Sequence, residues 1–253
     1  MDIQLIRHST IKIRFNQLTF LVDPMLSAKE EMDPVTNAAN SFRNPLVDLP
    51  LPIEEILHGV DAVILTHTHR DHFDDPAIRT LSKELPIFCQ PEDEQKLVDL
   101  GFSNVTKISD QGYWNGVQLT RTGGQHGTGE LGKQMGPVSG FIMKAEGEPS
   151  LYIVGDSIWC KEVEDALTEH SPEIILVNGG EAQFLAGDPI TMGIKDIEKV
   201  SLAAPSAKIM VVHMESWNHC LLSREVLRGY IGYNRLRNVI VPENGEIVKY
   251  SLI

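Results

Sequence analysis

Residues 66–75 read THTHRDHFDD and follow the apolar run VDAVIL. Within six residues stand His67, His69, Asp71 and His72, four metal-capable groups placed where a buried strand runs out. His67 and His69 are two apart, which on a strand directs both imidazoles to one face. Asp71 and His72 fall where the chain must turn toward a helix starting near Asp75. Neutral imidazoles with a carboxylate suit zinc or another first-row transition metal. Four packed residues cannot supply two ions, so other parts of the chain must contribute donors. Three residues carry the right chemistry at the same kind of position: His126 in the glycine-rich TGGQHGTG, Asp156 ending SLYIVGD, and His213 ending AKIMVVH. Taken singly, each also fits a capping or core role; the first cluster is what makes them ligand candidates.

Elements able to hold such a site alternate along the chain. IQLIRH, IKIRF and LTFLVDP read as strands, as does the buried VDAVILTH. Asp74–Leu85 reads as a helix with Pro76 in its first turn, followed by the short strand PIFCQ and the helix PEDEQKLVDL, closed by Gly101. VQLTRTG, SGFIMKAEG and SLYIVGD continue as strands. KEVEDALTEH, IKDIEKVSLAA and SREVLRGYI read as helices around the strands EIILVNG and AKIMVVHME, and the Glu-Asn-Gly-Glu of VIVPENGEIVKY as a turn. No internal repeat or low-complexity segment appears. Antiparallel-looking strands followed by strand–helix alternation, twice over, imply an α/β protein of two sheets packed face to face with helices outside, and the length allows one large domain or two small ones. Residues 24–52 break the rhythm, rich in Pro and Asn and poor in periodic apolar positions. A structureless stretch of that length inside a compact domain is either an active-site lid or a surface loop.

Composition narrows the partners. A formal net charge of −13 repels phosphate backbones and anionic lipid surfaces, and no local basic patch reverses it. A small-molecule substrate becomes the expectation, with no nucleic acid and no membrane span, since no run approaches eighteen apolar residues. The N-terminus MDIQLIRHST lacks the features of a secretory signal. Cys89, Cys160 and Cys220 are odd in number and far apart, which reads as reduced thiols in a cytoplasmic protein. A homo-oligomer is compatible with this class.

THTHRDH, with His126, Asp156 and His213, resembles the metal-binding pattern of the metallo-β-lactamase superfamily, and the strand order resembles its αββα sandwich across essentially the whole chain. This implies an α/β, four-layer αββα fold of two mixed sheets with outer helices, as a single domain over residues 1–253. LVDPML at 21–26 resembles the family's first motif. The resemblance implies one metal on His67, His69 and His126, a second on Asp71, His72 and His213, Asp156 bridging them together with a water or hydroxide, and Asp23 bracing the site from behind. IRHSTIKIRF, the segment ending SFRNPLVDLPLP, and PITMGIKDIEKV are similar to the branch containing L-ascorbate-6-phosphate lactonase. Redox di-iron members of the superfamily carry glutamate where this chain has His69, which implies hydrolysis and not oxygen chemistry.

Two cations held close together turn a bridging water into hydroxide near neutral pH and polarise the scissile bond. Asp71 is the carboxylate expected to orient that nucleophile or carry its proton, besides serving as a ligand. Zinc is favoured by affinity order, and manganese or iron fit the same donors. For substrate contacts the candidates are His8 at the end of the first strand, Arg43 in the 24–52 segment, and Trp217, Asn218 and His219 after His213. Each has a bland counterpart: a core histidine, a solvated arginine, a packed loop. Asn178 and Glu181 read either as turn residues or as support for the site, and His58 and His170 as surface residues. Three functions follow: a hydrolase of a lactone or related ester; a phosphodiesterase, small-molecule or phospholipase-like; or a non-catalytic metal-binding protein, whose signature of lost ligands is missing here.

Overall fold

The computed structural model describes residues 1–251. The first half builds strands β1 (Asp2–Arg7), β2 (Thr10–Phe15), β3 (Leu18–Val22), β4 (Ala62–Leu65), β5 (Ile87–Cys89) and β6 (Val105–Lys107), with helices α1 (Ile53–Leu57), α2 (Asp75–Thr80) and α3 (Glu94–Asp99). The second half builds β7 (Gln111–Trp114), β8 (Val117–Thr122), β9 (Gly140–Lys144), β10 (Leu151–Ile153), β11 (Ile174–Asn178), β12 (Lys208–Val212) and β13 (Val239–Ile240), with α4 (Gly129–Met135), α5 (Lys161–His170), α6 (Ile194–Ala203) and α7 (Arg224–Asn234). A last strand, β14 (Ile247–Lys249), returns to pair with β1. Two seven-stranded sheets result, in the orders β14-β1-β2-β3-β4-β5-β6 and β13-β12-β11-β10-β9-β8-β7. Each is antiparallel at one side and parallel at the other, the parallel pairs being β3–β4–β5–β6 and β10–β11–β12–β13.

Side-chain alternation explains the layers. In β4, Ile64 faces the other sheet while Val63 and Leu65 face α1–α3; in β11, Leu176 faces inward while Ile175 and Val177 face α5–α7. Leu5, Ile13, Phe20 and Ile64 meet Leu119, Phe141, Leu176 and Met210 between the sheets. Strands buried on both faces read as unbroken apolar runs, which is why VDAVIL and EIILV were recognisable. The αββα sandwich is therefore the architecture. Among the described residues, no helix is long and apolar enough to cross a membrane.

Several expected boundaries move. The helix expected over Asp74–Leu85 ends at Thr80: Leu81 is already extended, and the chain must come round to Pro86 and β5. The PEDEQKLVDL helix begins as a 3-10 turn over Pro91–Asp93 before α3. His67 and His69 do not lie on a strand, because β4 stops at Leu65; they meet through the turn that follows it. The edge strands β6 and β7 and the short helices α1 and α4 had no signal above turn chemistry.

Residues 24–52 hold no helix or strand, only an isolated bridge between Met32 and Asn44. They are nevertheless tied down. The buried guanidinium of Arg7 donates to Val47 O at 2.9 Å, Ser27 O at 2.8 Å and Met25 O at 3.1 Å. Burial pulls that guanidinium down to about 10 against the nearby Asp74, Asp48 and Glu31, which leaves it charged at neutral pH. At the other side, Leu46 N donates to Ser216 O at 2.8 Å.

Candidate metal centre

The carboxyl ends of β1, β3 and β4 from one sheet meet those of β8, β10, β11 and β12 from the other, where loops of open α/β sheets commonly place ligands. His8 follows β1, Asp23 follows β3, His67 lies just past β4, His126 past β8, Asp156 past β10, and His213 directly after β12. The backbone is bent hard to do this. His8, Asp23 and His213 all sit in the left-handed region, with φ of 60°, 43° and 65°, a conformation that costs about 1–3 kcal/mol for a non-glycine residue and collects at functional sites. Gly155, at φ 73°, lets the chain turn into Asp156; a Cβ there would meet Ser139 O at 2.8 Å.

Two donor groups form. His67, His69 and His126 bring ring nitrogens together in one; His8, Asp71, His72 and His213 converge in the other. Asp156 faces both: its Oδ2 lies 3.5 Å from His126 Nε2 and 3.2 Å from His72 Nε2, and its Oδ1 3.4 Å from His213 Nε2. Asp71 Oδ2 lies 3.6 Å from His213 Nε2 and 3.4 Å from His8 Nε2. Every one of these groups except the half-buried His69 is buried.

The residues fit a resident cation. His67 Nε2 and His69 Nδ1 face each other at 2.9 Å, and His72 Nε2 and His213 Nε2 at 3.3 Å. Lone pairs cannot face at that distance without a proton or a metal between them. The outer nitrogens are already engaged, which aims the inner ones. His72 Nδ1 donates to Asp23 Oδ2 at 2.8 Å and His126 Nδ1 to Ile190 O at 2.8 Å. Thr66 Oγ1 lies 3.2 Å from His67 Nδ1, and Cys220 Sγ 3.6 Å from His213 Nδ1. Asp23 also accepts from Thr66 N at 2.8 Å and Thr66 Oγ1 at 2.7 Å, so one carboxylate fixes both the strand end and a histidine.

The electrostatics follow from burial and pairing. Burial opposes ionisation of Asp71 and Asp156, but the hydrogen bonds and charges of surrounding histidines, His213 and His72 foremost, hold both well below the usual carboxylate range. Against burial, Asp156 and Asp23 push His72 up to about 10, and Asp156 and Cys220 raise His213 well above its ordinary value. Burial and then neighbouring imidazoles drive His8 and His67 well below theirs.

The expected substrate contacts divide. His8 stands inside the second donor group, its ring 3.6 Å from that of His213, and not on a substrate wall. Asn218 is spent: its Oδ1 accepts from Val35 N and Asn44 Nδ2, both at 2.9 Å, and its Nδ2 donates to Val35 O at 3.1 Å and Asn40 O at 2.9 Å. It staples the 24–52 segment and has no atom left for a substrate. Arg43 is spent likewise, paired with Asp33 and donating to Glu30 O at 2.9 Å and Glu31 O at 3.0 Å. Trp217 is 1% exposed and packs between His8 and the guanidinium of Arg70, so it backs His8 instead of facing a ligand. His219 lies beside the cluster with its Nδ1 unpartnered, as are His8 Nδ1 and Trp217 Nε1. Asn178 donates to Asp156 Oδ1 at 2.7 Å, which resolves it as support, whereas the Glu181 carboxyl lies against Gly193. The Cys220 contact had no signal in the sequence beyond a lone cysteine.

Comparison with known proteins agrees with this fold. The beta-lactamase superfamily domain family matches residues 19–214. The UPF0173 protein YddR of Bacillus subtilis is 45% identical over 253 residues, covering 97% of this chain and 98% of that one. A crystal structure of a possible metal-dependent hydrolase from Veillonella parvula superposes with a TM-score of 0.95 at 40% identity, covering 98% of both chains. The isothiocyanate hydrolase from Delia radicum gut bacteria superposes with a TM-score of 0.95 at 36% identity, covering 100% of both. On the family model and the full-length relatives, the chain belongs to the metallo-β-lactamase superfamily, in the UPF0173 family of metal-dependent hydrolases.

Proposed function

We propose that the chain is a dinuclear metal-dependent hydrolase of small uncharged electrophiles, with isothiocyanates as the leading substrate class. The reaction type rests on one observation: two donor groups that share Asp156 as their common neighbour. The substrate class is supported by the full-length likeness to an isothiocyanate hydrolase. In this reading His67, His69 and His126 would hold one cation and Asp71, His72 and His213 the other, with His8 alongside and Asp156 shared between them. Zinc is favoured, with manganese or iron compatible.

When bound, such a pair supplies an acidified water and a Lewis acid for the substrate heteroatom. The chain's own residues do the rest. Asp71, ionised and held by His8 and His213, orients the attacking oxygen and takes its proton. Asp23 and Thr66 keep His72 and His67 in the ligating tautomer. His219 is positioned to hydrogen-bond the substrate's nitrogen or its leaving end. Attack on the central carbon of R–N=C=S, with proton transfer to nitrogen and cleavage of the C–N bond, releases R–NH2 and carbonyl sulfide from one water.

A lactone is the second reading, favoured by the resemblance of IRHSTIKIRF and PITMGIKDIEKV to the lactonase branch. A phosphodiester is weaker, because Arg43 and Arg7, which could have paired its charge, are committed to backbone carbonyls and Asp33. The three unpaired thiols agree with a reducing, cytoplasmic setting.

The test is a metal-quantified preparation assayed on isothiocyanates, a lactone panel and a phosphodiester, with a chelator control. Chelator-sensitive loss of the N=C=S absorbance with amine release supports the first reading. Turnover of lactones alone promotes the second, and turnover of the phosphodiester alone overturns both. Metal loading itself should release protons. His72, held up to about 10, carries a proton in the metal-free protein, and His213 is shifted in the same direction. Both must be neutral to ligate, so loading near pH 7.5 should release at least one proton per chain. Calorimetry in buffers of different ionisation enthalpy measures this, and zero release would contradict the assignment of these histidines.

A further inference from the structure

A substrate larger than its reacting group needs somewhere to put the remainder. Between α4 and the 182–190 loop lies a cavity of about 380 Å³, within the range of small-molecule sites. Leu131, Gln134 and Met135 of α4 form one wall and Phe184 and Leu185 another. Asn37, from the 24–52 segment, closes a third side, its carbonyl accepting from Leu185 N at 2.6 Å. No charged side chain lines it.

Two of the walls connect to the metal centre. α4 begins at Gly129, just past His126. His126 Nδ1 is fixed on Ile190 O, and Ile190 N donates to Ala182 O at 2.8 Å, which closes the loop carrying Phe184. Gln183 N donates to His219 O at 2.9 Å, and the Phe184 and His219 ring centroids are 6.2 Å apart. His219 feels the charges of Asp71, His213, Asp156 and His126, and burial holds it down to about 4, so its free imidazole is neutral. The apolar residues here serve no core: α4 buries none of its residues, and Leu185 is 73% exposed. Phe184 thus lines the cavity on one side and lies beside the ring of His219, next to the donor cluster, on the other.

We propose that this cavity is the subsite for the apolar substituent of the substrate, an aryl or short alkyl group, and that Phe184 and His219 mark its junction with the reacting end. The assignment rests on the reading of the metal centre as the reaction site, and it deepens that reading by naming uncharged, apolar-substituted electrophiles.

Two measurements test it. The first is methyl NMR of the metal-loaded protein titrated with 2-phenylethanol, an unreactive probe. Shifts are expected at Met135, Leu131 and Leu185 and not at the core residues Met143 and Met210; no shift at Met135 and Leu131 overturns the subsite. The second compares kcat/KM for 2-phenylethyl and methyl isothiocyanate. Leu131→Asp should lower the arylalkyl-to-methyl ratio by about tenfold, and Gln134→Leu should raise it. An unchanged ratio in both variants overturns the proposal. If neither isothiocyanate is turned over while 2-phenylethanol still shifts Met135 and Leu131, the subsite stands and the isothiocyanate reading falls.

Discussion

Asp156→Asn should abolish hydrolysis, lowering kcat/KM by roughly 10³-fold or more, and should cut the metal content of the purified protein. Asp156 is the one carboxylate that faces His126 on one side and His72 and His213 on the other. An amide keeps the volume but removes the charge that both donor groups share. In the metal-free protein the same change leaves the buried, proton-bearing His72 and His213 without part of their counter-charge, which is costly in a low-dielectric interior. The variant should therefore also melt lower, and added metal should restore less of that loss than in the parent. Elemental analysis, kinetics and melting in parallel check this. A variant that retains full metal content and rate would sink the bridging role.

Arg7→Met should destabilise the fold by about 3 kcal/mol without touching the donor cluster. At about 2–4 °C per kcal/mol for a chain of this size, that is a fall in Tm of roughly 10 °C. The cause is local and specific: Val47 O, Met25 O and Ser27 O all accept from one buried guanidinium. A methionine of similar length fills the space but leaves carbonyls unsatisfied and releases the start of the 24–52 segment. Arg7→Lys should recover only part of the loss, since one ammonium cannot span three carbonyls with the fork geometry of arginine. Limited proteolysis should cut the methionine variant first within residues 24–52. A Tm within 2 °C of the parent would mean that the segment is held elsewhere.

What was readable in the sequence was what depends on short-range order. A buried strand followed at once by a polar, metal-capable residue recurs at His67, Asp156 and His213, because the ends of parallel strands are where a sheet opens to ligands. The helix KEVEDALTEH was readable to the residue, since its periodic apolar face needs no long-range information. What was not readable depends on partners far along the chain. Nothing near His8 says that its ring will pack against that of His213, because that contact is made by two turns both forced to positive φ. Asn218 and Arg43 looked like substrate contacts by residue type. Their polar atoms are consumed by a segment whose course no local pattern encodes. Strand geometry is not what pairs His67 and His69: β4 ends at Leu65, and the turn after it brings their rings together.

The donor atoms have an ownership that matters beyond catalysis. His67 and His69 belong to the first half of the chain and His126 to the second; His8, Asp71 and His72 belong to the first and His213 to the second. Neither half owns a whole set, so a cation seated there is a rivet through the seam between them. Its binding free energy adds to folding, by about 2.7 kcal/mol when free metal stands at a hundred times its dissociation constant. Metal starvation would then do more than silence the enzyme. It would raise the fraction of chains that open along the seam, hand them to quality-control proteases, and turn a shortage of metal into a shortage of the protein itself.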